Sequence, residues 1–479
     1  MTHRWIVVAL LVAHVALANA GDDQLPEDTR AQAPRPGRPT HGKLNILLLI
    51  GDDHGWPYFG FMGNQRVLTP NMDRLARGGT VFARGYAASS VCLPTLNAML
   101  TGIYPYQWEH RLKQVKGAND FSGMEELTIG RELLRNYETL PRILSRSGYV
   151  SFQGGKLWNA RYDEAGFTHG MSTLNQGEIT HTYTAFDGVA GGRGLELARE
   201  TMQPVYDFID EHAGKPFFVW YAPMLPHYPH DAPAKYLDYY ASMSISKSAR
   251  KYYANCTRWD ESVGRLIDYL QNKNLLQDTL IIYFSDNGWE QLPDAEYDGD
   301  PMASLLGGPH GKLSLHSLGF RTPFIFYLPG KVPAGVTKEQ LVDQIDLFST
   351  ILDYADAKSV DGALGRSLRP KIEGNAHYAR DHIIGSMRVI RVAPDRSTKT
   401  DESALVSREN AFHLTTSDWH YIWYETRGTD ELYDTRVDPD ELRNVATEHA
   451  DRRRTFRQQI EKWRATVTEQ MLDPALLGR

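Results

Sequence analysis

The 479 residues carry 52 lysines and arginines against 59 aspartates and glutamates, a formal net charge of -7, with 42% hydrophobic and 23% charged residues. That composition is ordinary for a globular chain. The negative total, with no basic run after the N-terminal region, excludes non-specific nucleic-acid binding, and the length suits one large α/β domain plus a smaller one.

In chain order, His3 and Arg4 precede a mostly apolar stretch from Trp5 to Leu17, and Ala18-Asn19-Ala20 has the small-x-small form of a cleavage site. Residues 1–20 therefore read as a signal peptide, and the mature protein as exported, periplasmic or secreted. The stretch is short for a bilayer span and no other segment matches it, so no stable membrane insertion is expected. Residues 21–42, rich in Pro, Arg, Asp and Gln, read as a flexible linker.

Beyond it, apolar runs at Ile46–Ile50, Tyr149–Phe152, Phe217–Tyr221, Leu280–Phe284 and Phe324–Tyr327 predict buried parallel strands. They alternate with helical patterns near Asn71–Arg77, Leu140–Ser147, Leu195–His212, Ala249–Leu270 and Val342–Tyr354. The alternation predicts an α/β fold with a doubly wound, mostly parallel sheet flanked by helices. From about residue 375 the pattern changes. His413–Thr415, Tyr421–Tyr424 and Glu431–Tyr433 read as short antiparallel strands, and Arg453–Met471 as a closing helix. We assign residues 43–375 to the larger domain and 376–479 to a C-terminal α+β subdomain. Of the two cysteines, Cys256 falls on an apolar helix face with Tyr252, Trp259, Val263, Leu266 and Leu270, at alternating spacings of four and three. A buried free cysteine is expected there, rather than the disulfide that export would suggest.

Asp52 and Asp53 follow the first strand directly, where ligands collect in open α/β sheets. Two adjacent carboxylates there either form a solvated turn or share a cation. Asp286-Asn287-Gly288 repeats the arrangement after the strand Leu280–Phe284. Alone it reads as a turn. Taken together, Asp52, Asp53, Asp286 and Asn287 make a set of hard oxygen donors suited to Ca²⁺, and less well to Mg²⁺. There is no histidine or cysteine cluster at zinc spacing. Pro94 fits a first helical turn. Cys92 then sits at a helix N-terminus that favours an anion, or is a buried structural thiol.

In chain order Gly51-Asp52-Asp53, Cys92-Leu93-Pro94 with Leu100-Thr101-Gly102, Gly154-Gly155-Lys156, Pro226-His227, Asp286-Asn287-Gly288 and Gly311-Lys312 resemble the sulfatase family of the alkaline-phosphatase superfamily. Thr69-Pro70-Asn71-Met72-Asp73-Arg74-Leu75-Ala76 resembles its "TPNLDRLA" segment. Glu431-Leu432-Tyr433-Asp434, Asp438-Pro439-Asp440-Glu441 and Asn444 resemble its C-terminal signature. The resemblance implies hydrolysis of a small-molecule or carbohydrate sulfate ester, on a sugar or polysaccharide. It implies that Cys92 is oxidised by a formylglycine-generating enzyme to formylglycine, whose hydrate attacks sulfur. It further implies that Asp52, Asp53, Asp286 and Asn287 hold calcium, that Lys156 and Lys312 hold sulfate, and that His227 stands at the leaving-group side. The chain departs from the family pattern at Leu96, where the motif has arginine, at Thr95, and at Leu157-Trp158-Asn159, where many members carry a histidine after the lysine. These departures leave open a degenerate member that binds sulfated ligands without turnover; and because such a site suits any tetrahedral oxyanion ester, a phosphodiester or phosphonate ester hydrolase on the same scaffold is a further reading. Loops around 113–130, 170–194 and 291–308 are expected to shape the pocket, with Tyr162, His181, His230 and Trp289 as wall residues.

Overall fold

Asn45–Gly51 (β1) is apolar at nearly every position because both faces of its sheet are covered. Ile46, Leu48 and Ile50 join Phe218, Trp220, Ile282 and Phe284 in one buried cluster, while Leu47 and Leu49 join Val219, Tyr221, Ile281 and Tyr283 in the other. The computed structural model describes residues 42–116, 123–158, 160–172, 192–360, 363–374, 380–392 and 405–470. Residues 1–20, read as a signal peptide, residues 21–41 of the stretch read as a linker, Asn159, His181 and most of the 170–194 loop lie outside the described residues.

The remaining strands of the large sheet are Thr80–Tyr86 (β2), Val150–Gly155 (β3), His169–Gly170 (β4), Phe217–Ala222 (β5), Thr279–Ser285 (β6), Arg321–Tyr327 (β7), Val336–Lys338 (β8) and Val342–Asp343 (β9). Their order is β4-β3-β5-β1-β6-β7-β2-β8, with β9 also on β2. The pairings β3–β5, β5–β1 and β1–β6 are parallel. This is the mostly parallel, helix-flanked α/β sheet expected from the alternation.

Three expectations need correction. β7 runs antiparallel to both β6 and β2; a run buried on both faces reads alike in either direction, so its sequence did not reveal this. The pattern read as one helix over Leu195–His212 is a 3-10 turn at Gly192–Glu196 followed by a helix at Gln203–His212. Pro204 starts the second piece and could not continue the first. Val342–Tyr354 begins as β9, and only Ile345–Tyr354 is helical. β2 was not read as a strand because Arg84 and Gly85 interrupt its apolar run.

At the C-terminus Ile383–Val392 (β10), Leu405–Thr415 (β11), Trp419–Tyr424 (β12) and Thr429–Asp434 (β13) form a four-stranded antiparallel sheet. The helix Ala450–Gln470 packs on it through Phe456, Ile460 and Val467. The same cluster takes in Tyr104, Tyr106 and Ile345 from the larger layer. Cys92 and Cys256 are both free and buried. Among the described residues no helix is long and apolar enough to cross a membrane.

Candidate active site

Four neighbouring parallel strands end at the same edge. Gly51 of β1 is level with Ser285 of β6, and Gly155 of β3 with Ala222 of β5. Whatever follows each strand therefore converges: Asp52 and Asp53 after β1, Asp286 and Asn287 after β6, Lys156 after β3, and His227 a few residues past β5. Gly155 makes the approach of β3 and β5 possible. Its φ is +92°, and a Cβ there would lie 2.0 Å from the Ala222 carbonyl oxygen.

The converging groups bind one another. Lys156 Nζ donates to both carboxylate oxygens of Asp52 at 2.8 Å. Lys312 Nζ donates to Asp53 Oδ1 at 2.8 Å, and Asn287 Nδ2 donates to the same oxygen at 2.7 Å. His227 Nε2 stands 3.5 Å from Asp53 Oδ2, and the Asp53 amide donates to Asp286 Oδ1 at 3.3 Å. All seven residues are buried. Burial works against the charge on both lysines, and the carboxylates Asp52 and Asp53 overcome it, so both ammonium groups sit above their usual range. Asp286 is pushed well above the carboxylate range by burial and by Asp52. His227 is pushed well below its usual value by burial and by Lys312, so it is neutral at pH 7. Its Nδ1 lies against the Tyr228 carbonyl. That contact places the proton on Nδ1 and leaves Nε2 as an acceptor.

Cys92 begins the helix Cys92–Thr101 and is buried beside this cluster. Burial raises its thiol pKa, opposed by Lys156 and Lys312, while Asp286 and Asp52 add to the rise. The loop before it is held by Gln344, which accepts from the Ala88 amide at 2.8 Å and donates to the Thr95 carbonyl at 2.9 Å. Leu96, one turn further along the helix, is 1% exposed and belongs to the main apolar core.

The structure thus brings together all eight residues singled out from sequence: Cys92, Lys156, His227, Lys312, Asp52, Asp53, Asp286 and Asn287. Sequence reasoning missed their supports. Ser285 Oγ lies 3.1 and 2.9 Å from the Gly51 and Asn287 carbonyls, between which its one proton is shared, and accepts from the His54 amide at 3.1 Å. Tyr252 donates its hydroxyl to the Asp53 carbonyl at 2.9 Å; its place on an apolar helix face concealed that role. Gln344 was read as part of a helix, and nothing in its sequence neighbourhood set it apart. Of the expected wall residues, Tyr162 packs against the core. Trp289 is fully buried behind His230, with the ring centroids 5.4 Å apart.

The donor set fits a hard divalent cation. Ligand atoms of Asp52, Asp53 and His227 lie within 4.8 Å of one another. Asp53 Oδ2 and Asn287 Oδ1 are buried oxygens without a hydrogen-bond partner, which a cation would satisfy.

Known proteins resemble this chain over most of its length. A family model described as Sulfatase matches residues 44–357. The chain is 30% identical to dog (Canis lupus familiaris) N-acetylgalactosamine-6-sulfatase over 68% of its own length and 63% of that relative's, so it spans just under two thirds of the relative. It is 24% identical to rat (Rattus norvegicus) arylsulfatase K over 95% of its length and 82% of that relative's. A solved structure in complex with its substrate D-glucosamine-2-N,6-O-disulfate superposes with a TM-score of 0.62 at 20% identity, covering 90% of this chain and 99% of that one. At that identity the likeness shows the fold.

Proposed function

The chain belongs to the sulfatase family, and from that premise we propose that it hydrolyses sulfate esters on sugars at residue 92. Calcium would be held by Asp52, Asp53, Asp286 and Asn287. The observation that supports this reading is the convergence of two buried ammonium groups, three buried carboxyl groups and a neutral histidine at the N-terminus of the helix that Cys92 begins.

Lys156 and Lys312 enter the reaction protonated and stabilise charge on the non-bridging oxygens of the ester. The helix N-terminus adds unpaired N–H groups on the same side. Lys312 supplies the proton to the departing alcohol, because neutral His227 has its Nδ1 proton committed to the Tyr228 carbonyl. His227 Nε2 instead accepts. Calcium, when bound, balances the carboxylates and polarises a sulfate oxygen. Were Cys92 oxidised to formylglycine by a formylglycine-generating enzyme, the aldehyde would take up water as a geminal diol; one hydroxyl would attack sulfur as the sugar alcohol leaves, and deprotonation of the other would expel sulfate and restore the aldehyde. An unconverted thiol has no second hydroxyl and stops after sulfation.

A peptide mass measurement on residue 92 from protein made in its native host, paired with sulfate release from N-acetylgalactosamine 6-sulfate, tests the reading. The expected result is an aldehyde at position 92 and turnover that Cys92→Ala abolishes. A free thiol with no sulfate released from sugar or aryl sulfates sinks it. Leu96 favours a second reading, in which the site binds sulfated sugars without turnover; saturable binding with no product supports that one. Faster cleavage of aryl phosphate diesters or phosphonate esters than of sulfates would move the substrate class. We also place the mature protein outside the cytoplasm, which N-terminal sequencing checks by a start at residue 21.

A further inference from the structure

On the edge strand β4 the partly buried His169 meets His212, the last residue of the helix Gln203–His212. The two are 43 residues apart in sequence, so no local spacing announces the pair. They stand away from the catalytic cluster. His212 lies just before β5 begins, at the sheet edge opposite the strand ends that carry that cluster. The two Nε2 atoms are 3.4 Å apart and the ring centroids 4.7 Å apart, so the rings meet through their Nε2 corners. The buried ring of Phe208 packs against both, 5.4 Å from His169 and 4.8 Å from His212, and fixes their orientation.

The protons around the pair are accounted for. Thr168 Oγ1 accepts from the Ser151 amide at 2.7 Å and gives its one proton to the Ser151 carbonyl at 2.8 Å. His169 Nδ1, 2.9 Å from the same oxygen, must therefore donate to it. His169 Nε2 is then a bare acceptor, the tautomer of a metal-binding imidazole whose other nitrogen is held by a neighbour. Burial and His169 lower the pKa of His212, so it is neutral at pH 7. A hydrogen bond between the two Nε2 atoms would be a poor one, because their 3.4 Å separation exceeds the ~2.7–3.2 Å of an ordinary N–H bond. The same separation fits a shared ion. Two nitrogens about 2.0–2.1 Å from a tetrahedral zinc are about 3.3–3.4 Å apart, whereas the right angles of a square-planar copper site bring them closer. The pair also lies at a helix C-terminus, where the dipole favours a cation. The opposite charges of Glu211 and Lys215, which flank His212, offset one another.

We propose that His169 and His212 together bind one zinc ion through their Nε2 atoms, stapling the edge strand β4 to the helix that precedes β5. Among the described residues only Asp52, Asp53 and His227 form a cluster of three metal-ligating side chains. Water therefore fills the other positions of the zinc held by the histidine pair, and the ion is exchangeable. The inference is independent of the sulfate-ester reading, since it uses no residue of that site.

The test is calorimetric titration with zinc of the tag-free protein, kept in excess calcium so that the carboxylate site is filled, in the wild type, His169→Gln and His212→Gln. Binding is read directly, so the result does not depend on turnover. The wild type should take up one zinc per chain, and its melting temperature should rise with zinc. Each variant should bind zinc about tenfold more weakly or worse and lose the zinc-induced rise, while its response to calcium stays that of the wild type. Absence of zinc uptake by the wild type overturns the proposal and leaves the pair a long hydrogen bond. Zinc affinity that survives either substitution also overturns it, because a chelate needs both rings. Should one variant fail to fold, the other decides.

Discussion

Lys156 is the residue on which the electrostatics of the site turn. Both Asp52 oxygens depend on it, and both side chains are buried. Lys156→Met would leave a carboxylate without its partner in a poorly solvated place, at a cost of about 3–5 kcal/mol. Calcium offers that carboxylate a substitute partner. The expected outcome is a lower melting temperature without calcium and a larger calcium-induced rise than in the wild type. Differential scanning fluorimetry with and without the ion measures both, and an equal calcium response in the two proteins would show that Asp52 is not a ligand. Leu96 makes the opposite case. It lies in the apolar core, so Leu96→Ala should cost about 2–5 kcal/mol in urea unfolding; a neutral effect would mean that the side chain is not packed. The eight site residues were legible in the sequence because all but Lys312 follow a strand end or begin a helix, and such places are marked by short runs of Gly, Asp and Pro, while Lys312 stands in a Gly-Lys pair. Tyr252, Ser285 and Gln344 were not legible. A buried tyrosine, serine or glutamine bound to backbone carries no sequence mark that separates it from ordinary core or turn.

At the scale of elements, the segment Thr69–Ala76 carried the family likeness strongly, yet its physical work is structural. The helix Pro70–Gly78 has no cap from its own N-cap residue Thr69. Asp260, on the long helix Lys247–Asn272, supplies one from a distance. Its carboxylate accepts from the Asn71 amide at 3.1 Å, the Asn71 side chain at 2.8 Å and the Met72 amide at 2.7 Å. Asp73 in turn accepts from the Phe61 amide at 2.8 Å and pins the preceding turn. Asp260→Ala orphans three donors at once and should cost about 2–4 kcal/mol. Urea unfolding measures that loss, and calcium affinity should stay unchanged, because none of the three donors belongs to a cation ligand. Loss of calcium binding in this variant would mean that the helix helps shape the site. The errors of the sequence reading are also errors of element. Strand direction, as in β7, is set by how the chain returns to the sheet, and an apolar run does not encode it. The C-terminal strand β10 was missed for a related reason, since it is read only through its partner β11.

The whole molecule joins its two sheets across the segment that carries Lys312. His316 donates or accepts at Ser314 Oγ, 2.8 Å away, and at the hydroxyl of Tyr433 on β13, 3.2 Å away. Its ring stacks on His310 at 4.0 Å. His420 of β12 reaches the Leu315 carbonyl at 2.7 Å, and Glu441 accepts from the Ser317 amide at 2.8 Å. The C-terminal sheet therefore sets the path of the loop that delivers a lysine to Asp53. Burial holds His316 at a pKa of about 3, and His54 and His230 equally low. Each folded-state value lies below that of the free side chain, 6.5. The stability these histidines contribute is thus complete above pH 6.5. Below it the unfolded chain takes up protons that the folded chain refuses, and the contribution shrinks until the folded state protonates near pH 3. Each histidine adds a slope of up to about 1.4 kcal/mol per pH unit across that window. Unfolding free energies of the wild type should therefore drop steeply from pH 6.5 to pH 4, and His316→Gln should drop less steeply whatever its stability at pH 7. Taking the slope rather than the midpoint separates proton linkage from the lost ring stack, because a lost contact lowers the curve without tilting it. Parallel curves for the two proteins would show that His316 takes up its proton in the folded state, with the junction between the sheets open to water.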